Sequence, residues 1–357
     1  MPCAKCWRYT SFKMKFAFNR SRLKALLRSF KSLHVGVVGD FALDGYWYAD
    51  MTRAQLSREA PLFVRPVVRE SYSLGGASNV AWNLAALGVG EVWTFMVLGH
   101  DWRGQLIRQL MAGLGVHQEV VSGNVGWKTP FFGKVVLGAL GNQQEDARLD
   151  IINLEPINNI VEEALITDIR SHLVHLDALI IADYLEGGVI TPGLIQALND
   201  MAREHPEIVF LCDSRQRVGQ FEAMVIKPNE VEAAGLFFPD QEPDQVGLEE
   251  YSQAGMGLNA RIGKPVYITL GEQGCLLCTP PEAQKIPAVP VPAPLDTVGA
   301  GDTFLASLAA GLAGRASPLE SGSLASLAAS IVCRKLGVTG TASPEEILSL
   351  FEAAEKF

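Results

Sequence analysis

Hydrophobic positions in this chain fall into short β-branched runs separated by longer stretches of helical spacing. Apolar runs at His34–Gly39, Val92–Leu98, Ala178–Ala182, Val209–Cys212, Val225–Ile226 and Val266–Leu270 read as buried strands. Between them lie segments of helical period, roughly Gly75–Leu87, Arg103–Leu114, Ile160–Leu173, Pro192–Arg203, Glu230–Leu236 and Glu249–Ile262. A long Ala/Leu/Ser-rich segment follows Phe304, where Leu305, Leu308, Ala309 and Leu312 recur on one helical face. Such alternation predicts an α/β fold with a mostly parallel sheet and helices on both faces, a three-layer αβα sandwich. Two stretches break the alternation, at about 44–74 and 124–153. The region Phe41–Glu70 is rich in aromatics, Arg and Pro without a long helical period, and Trp127–Leu140 is extended before the polar Asn142–Asp150. Both are read as parts of one small β lid. No internal repeat or low-complexity segment is visible.

Residues 1–34 stand apart as a basic N-terminal extension before a single domain over 35–357. They hold nine Lys/Arg and no acid, which leaves −18 on the rest of a chain whose net charge is −9. An acidic body argues against a nucleic-acid partner. Leu23, Leu26, Leu27 and Phe30 share one face of a helix expected over Arg22–Phe30. That face suits packing ahead of the first strand, with attachment to a membrane surface as the alternative. Met14 is a second candidate start. No signal-peptide pattern and no span of roughly 20 apolar residues is present, so a cytoplasmic enzyme is expected. Hydrophobic content of 48% with 19% charged residues is that of a globular protein. Six cysteines in 357 residues make no disulfide scaffold. Cys3-x-x-Cys6 and Cys275-x-x-Cys278 have zinc half-site spacing, but the second pair lies in an extended run, where positions three apart face opposite sides.

The chemistry concentrates at Asp296-Thr-Val-Gly-Ala-Gly-Asp-Thr-Phe304. Gly299, Ala300 and Gly301 fall at the N-terminus of the last long helical segment, where free N–H groups and the dipole form an anion site. Asp302 beside that site would repel a phosphate unless it takes a proton from the attacking group; an ordinary first-turn acid is the bland alternative. Neither Gly133-Lys134-Val135 nor Gly263-Lys264-Pro265 makes a Walker A loop, and Phe304 stands where a Rossmann fingerprint needs glycine.

This nonapeptide resembles the C-terminal signature of the ribokinase/PfkB carbohydrate kinases, and Gly75-Gly76-Ala77-Ser78-Asn79 resembles their N-terminal one. The resemblance runs from about Val35 to the C-terminus. It implies a ribokinase-like fold, ATP and Mg²⁺ as cofactors with room for a monovalent cation such as K⁺, and a homodimer formed through the lid. It makes Asp302 the catalytic base with Gly299, Ala300 and Gly301 as anion hole. Asp44, Gly75, Gly76 and Asn79 become the sugar clamp, while Asp40 is equally a turn residue or a contact. Asn229 and Glu232 match the family's Asn-x-x-Glu element, in which Glu232 acts on Mg²⁺ through water; the alternative is two acids in a helix's first turn. Thr269, Gly271 and Gly274 fall in the ATP-side turn, which reads equally as a plain hairpin.

Further segments resemble the branch that phosphorylates heptose 7-phosphate at O1 for ADP-heptose and lipopolysaccharide synthesis. They are Gly39–Tyr48, Arg58-Glu59-Ala60-Pro61, Asn142-Gln143-Gln144, Arg148-x-Asp150, Ala182-Asp183-Tyr184 and Lys335-Leu336-Gly337. Arg148, Asp183 and Arg215 thereby join the substrate-binding candidates. Gln55 and Gly45 stand where arginines are expected, and Ser326 replaces an adenine-side asparagine. The nucleotidyltransferase domain fused in some relatives would come from a partner enzyme. A kinase of another sugar or nucleoside, or a sugar or nucleotide sensor of the same fold, is the competing expectation.

Overall fold

The computed structural model describes residues 16–138 and 144–355. In chain order the first elements are α1 (Arg20–Ser29), β1 (His34–Gly39), β2 (Phe41–Ala49), β3 (Val67–Gly76), α2 (Ala77–Ala86), β4 (Glu91–Leu98) and α3 (Trp102–Gly113). Then come β5 (His117–Ser122), β6 (Phe131–Leu137), β7 (Gln144–Ile151), α4 (Asn159–Leu173), β8 (Ala178–Asp183), α5 (Pro192–Glu204), β9 (Val209–Ser214) and β10 (Val225–Ile226). The chain continues with α6 (Glu230–Phe237), α7 (Leu248–Ile262), β11 (Val266–Thr269), β12 (Cys275–Cys278), β13 (Gln284–Ile286), α8 (Ala300–Ala313), α9 (Pro318–Val332) and α10 (Pro344–Ala354).

Nine strands form one sheet in the order β13-β12-β11-β10-β9-β8-β1-β4-β5, parallel except at the β11–β12–β13 edge. Side chains alternate between two cores. Val35, Val37, Ile180 and Leu211 join α1, α2, α3, α8, α9 and α10. Val38, Leu179, Ile181 and Cys212 join α4, α5, α6 and α7 on the opposite face. Period-two burial against helices on both faces gives the three layers. Cys275 and Cys278 fall into different cores; Cys3 and Cys6 lie outside the described residues.

A second sheet, ordered β3-β2-β6-β7, draws its strands from the two interrupting stretches. Two sequence expectations change here. The lid sheet begins before position 44: β2 starts at Phe41 and pairs antiparallel with β3 and parallel with β6. Gly75 and Gly76 do not open a helix but end β3, and α2 begins at Ala77. Asn142 and Gln143 lie outside the described residues.

Residues 16–34 of the basic arm are built into the body. Leu23, Leu26, Leu27 and Phe30 of α1 and the adjoining turn are buried, and Phe16 and Phe18 pack on Phe351 of α10. Burial of each large apolar side chain is worth roughly 1.5–3 kcal/mol, so this face is not available to a membrane. Arg22 clasps Glu320 at 2.7 and 3.0 Å, which ties the arm to α9. The domain boundary expected at 34/35 therefore falls inside a packed unit.

Candidate functional site

A cavity of about 300 Å³ opens between the lid sheet and the ends of the central strands, lined from both sides by residues distant in sequence. Asp302 is its centre. Gly299 caps α8 in the left-handed region (φ 79°), where a side chain would be strained. A Cβ there would also stand 3.0 Å from Asn79 Nδ2 and 3.2 Å from Thr339 Cγ2. Gly299 and Gly301 line the cavity. Ala300 does not share that role: its N–H closes a turn onto the Thr297 carbonyl at 3.1 Å.

Both oxygens of Asp302 are held. Asn79 Nδ2 donates to one at 2.8 Å and the Tyr184 hydroxyl to the other at 3.0 Å. Burial pushes this carboxyl up to about 6, against the pull of those two donors. Asn79 is itself fixed by Asn83, whose amide donates to its carbonyl at 2.9 Å, while Thr303 of α8 donates to Asn83 at 2.7 Å. Asn79, expected in the sugar clamp, is buried in α2, does not line the cavity and donates to Asp302.

At the lid end, Asp44 on β2 accepts from Thr339 Oγ1 at 3.0 Å. Gly75 lies opposite the Asp44 region across the β2–β3 ladder, and a Cβ there would meet Asp44 Oδ1 at 2.4 Å. The glycine makes room for the carboxylate. At Gly76 (φ 54°) a Cβ would stand 2.5 Å from the Asp40 carbonyl oxygen, so the close approach requires glycine. Burial raises Asp44 to about 6, opposed by Thr339, Lys134 and Arg148. Lys134 and Arg148 sit directly opposite each other on β6 and β7 and line the same cavity.

At the other end, Asn229 and Glu232 form a reciprocal capping box on α6, each accepting the other's backbone N–H at 2.8 Å. The helix-cap reading holds, and both residues also line the cavity. Burial, then Asp213, push Glu232 up to about 7. Lys227 meets Asp213 at 3.0 Å with both side chains buried. Its ammonium keeps its proton: burial opposes the charge, and Asp213 with Glu232 outweigh it. Thr269 and Arg215 also face the cavity. Gly271 and Gly274 stay in the turn between β11 and β12 and do not line it; Gly274 (φ 93°) is required because a Cβ would lie 2.1 Å from the Ile286 carbonyl.

Asp183 departs from its expected role. Its carboxylate is buried and engaged by Arg217 and the Ser214 hydroxyl, away from the cavity wall. Asp40 is neither a solvent turn nor a contact but an anchor, accepting N–H groups from Tyr184, Leu185 and Val189 at 2.8–2.9 Å. Gly45 cannot be an arginine here, since its Cβ would lie 2.3 Å from the Phe131 ring. Gln55 is exposed and Ser326 is buried in α9. Lys134, Asp213, Lys227 and Thr339 were not singled out as site residues from the sequence. Two of them had a signal: Lys227 directly precedes the Pro228-Asn229 junction, and Asp213 opens Asp213-Ser214-Arg215-Gln216, where the branch carries Asp-Pro-Lys-Gly. Among the described residues no group of three or more His, Cys, Asp or Glu could hold a metal ion by protein ligands alone.

These four buried carboxyls predict a pH dependence of stability. Asp40, Asp44 and Asp302 are raised to about 6 and Glu232 to about 7. The folded state therefore binds more protons than the unfolded one between about pH 4 and 7, and stability falls as pH rises through that window, by about 1.4 kcal/mol per pH unit for each group titrating only in the folded state. Lowered carboxyls such as Glu320, at about 2, act only below that window. Thermal melts of ligand-free protein are expected to give a lower Tm at pH 8 than at pH 5.5; an equal or higher Tm at pH 8 would contradict the burial of these groups.

Residues 49–346 match the family model described as pfkB family carbohydrate kinase, most of the chain. The chain belongs to the PfkB family of carbohydrate kinases. Among curated relatives this PfkB kinase is 33% identical over 335 residues to the bifunctional protein HldE of Trichlorobacter lovleyi, covering 93% of the chain and 65% of the relative. It is 31% identical to the bifunctional protein HldE of Pelobacter propionicus, covering 93% of the chain and 66% of the relative. The chain thus spans about two thirds of the length of these relatives. Phosphofructokinase-2 from Escherichia coli in complex with substrates and products superposes at TM-score 0.70, 21% identical, covering 90% of this kinase and 99% of that chain. Ribokinase from Thermotoga maritima gives 0.66 at 19% identity, with coverage of 90% and 99%. The fold is ribokinase-like, and the protein is a sugar kinase.

Proposed function

We propose that this kinase phosphorylates, with ATP and Mg²⁺, a sugar that already carries a phosphate: heptose 7-phosphate at O1, supplying ADP-heptose synthesis for lipopolysaccharide. The observation that carries this is the presence of Lys134 and Arg148 in one cavity with Asp44 and Asp302. Two cations directly opposite on neighbouring strands repel. Asp150 and Glu145 offset part of that cost, and a bound phosphate would remove the rest. The likeness to the HldE proteins supports the same branch.

In this reading Asp302 accepts the proton of the attacking hydroxyl, and the N-terminus of α8 meets the charge of the transferred group. Asp44, fixed by Thr339, orients the sugar. Lys227 and Arg215 face the nucleotide phosphates. The hard oxygen donors Glu232 and Asp213 suit a magnesium ion that keeps much of its water; Mg²⁺, when bound, neutralises phosphate charge. The competing reading, a kinase of another sugar or nucleoside, draws on Gly45 and Gln55, which remove two expected cations.

The test is ATP turnover over heptose 7-phosphate, fructose 6-phosphate and ribose, with and without K⁺, beside Asp302→Asn. Preference for heptose 7-phosphate is expected. Turnover of free sugars alone would sink the sugar-phosphate reading, and ATP binding without turnover would favour a sensor. Turnover that rises with K⁺ would add the monovalent cation to the cofactors.

A homodimer through the lid belongs to the same proposal. Leu56, Leu62, Phe63, Val64, Val67 and Val68 are exposed on the lid, and β3 and β7 leave the edges of its sheet open. Sedimentation is expected to give a dimer that Phe63→Asp weakens; a wild-type monomer at micromolar concentration would dismiss it. Among the described residues no helix is long and apolar enough to cross a membrane. Action in the cytoplasm is part of the proposal.

A further inference from the structure

Tyr184 belongs to the loop that leaves β8, and three independent constraints fix where its ring lies. Its own N–H and that of Leu185 donate to one oxygen of Asp40 at 2.8 Å, and Val189 N–H donates to the other at 2.9 Å. The loop can wrap the buried carboxylate this closely because residue 188 is glycine: a Cβ there would stand 2.3 Å from Asp40 Oδ1. On its outer face the ring lies beneath the Arg215 guanidinium, 5.4 Å from the ring centroid. Its far end reaches Asp302, 118 residues along the chain, at 3.0 Å.

The direction of that bond is defined. Burial and the neighbouring Asp302 charge push the Tyr184 phenol well above its ordinary range, so it keeps its proton and donates. Asn79 donates to the other oxygen. A carboxylate with both oxygens tethered cannot rotate about its terminal bond, and each oxygen retains a lone pair for a ligand. Asp302 still lines the cavity, so that lone pair is reachable by an acceptor hydroxyl.

We propose that Tyr184 is a positioning residue for the phosphoryl-transfer base: pinned by Asp40 and Arg215, its hydroxyl fixes the orientation of Asp302 and holds it ionised for proton abstraction. This rests on Asp302 being the base, as argued under Proposed function. Asp40, which does not itself line the cavity, thereby acts on catalysis through the loop it anchors.

Tyr184→Phe tests it, because the variant keeps the ring under Arg215 and removes only the hydroxyl. The acid limb of the kcat–pH profile is expected to move up by about one unit, because a hydrogen bond to the charged form is lost. The plateau kcat is expected to fall about tenfold, because the carboxylate is free to turn. The KM for ATP should stay within about twofold of wild type, since Tyr184 touches no nucleotide-end residue except Arg215. An unmoved limb would overturn the proposal, whether or not kcat falls, because a loss with an unmoved limb places the hydroxyl on the sugar rather than on the base. A second readout does not need turnover: the ¹³C carboxyl titration of Asp302 in ligand-free protein should shift up in Tyr184→Phe, and an unchanged titration would equally overturn it. Should wild-type protein phosphorylate no sugar, the kinase reading fails on its own, and the ¹³C titration alone decides whether Tyr184 acts on Asp302.

Discussion

Asp302→Asn is expected to lower kcat by about 10²–10⁴-fold, the range a positioned general base contributes. The substitution is isosteric. The carbonyl of the introduced amide can still accept from Asn79, and its NH₂ group can donate to the Tyr184 oxygen, so the geometry survives while the proton acceptor is gone. ATP affinity should change little, because in the proposed reading the nucleotide is held by other residues of the cavity wall, Lys227, Arg215, Asn229, Glu232 and Thr269. Stability supplies a second signature. Burial holds Asp302 at about 6, so at pH 8 the protein carries its ionised form against a desolvation cost. Replacing that charge by a neutral amide should leave Tm at pH 8 equal to or above wild type. A catalytic carboxylate in an unfavourable place is the pattern of stability given up for activity. Loss of activity with a lower Tm would indicate damage to the α2–α8 contact instead. Activity within about fivefold of wild type would remove Asp302 from the base role altogether, since it falls short of what a positioned base contributes.

What the sequence made legible follows from the range of each interaction. The parallel strands read correctly because β-branched runs such as Val35–Val38 and Leu179–Ile181 are buried on both faces, which is a local property. The lid was expected as β structure, but the bounds of β2 were not read because Asp44 and Gly45 break its pattern. Their reasons lie elsewhere: Asp44 meets Thr339, and Gly45 lies under the Phe131 ring. Gly75 and Gly76 look like a helix start until the Asp44 carboxylate across the ladder explains the missing side chain. The apolar face of α1 was visible from spacing alone. Its partner, α10, is far away at the other end of the chain, so spacing could not choose between protein and membrane. Asp183 carried a motif and proved to be engaged by Arg217, a pairing that no local pattern announces. Asp302, Gly299 and Gly301 were legible because a helix N-terminus, a left-handed glycine and an acid are all encoded within one nonapeptide.

Lys227→Met is the other variant with a large expected effect, and it separates stability from chemistry. Lys227 and Asp213 are almost fully buried, with side-chain exposures of 4% and 7%. Removing one partner leaves the other charge in the interior without compensation, which costs about 3–5 kcal/mol. For a domain of this size that corresponds to a fall in Tm of roughly 4–7 °C. Turnover should fall as well, by about 10²–10³-fold, because a fixed cation facing the phosphates stabilises charge only where it stands. The double variant Lys227→Met/Asp213→Leu distinguishes the two effects. Replacing the whole pair by apolar side chains of similar size removes the uncompensated charge, and Tm is expected to return to within a few degrees of wild type. Activity is not expected to return with it. A double variant that recovers both would make the pair purely structural, and a Lys227→Met protein that melts with wild type would show that Asp213 finds water or another cation when its partner is gone. The ion pair is a poor source of stability for its burial, since apolar residues would fill the same volume at no desolvation cost. Its place on the cavity wall, which Glu232 and Arg215 also line, accounts for a charge being there at all.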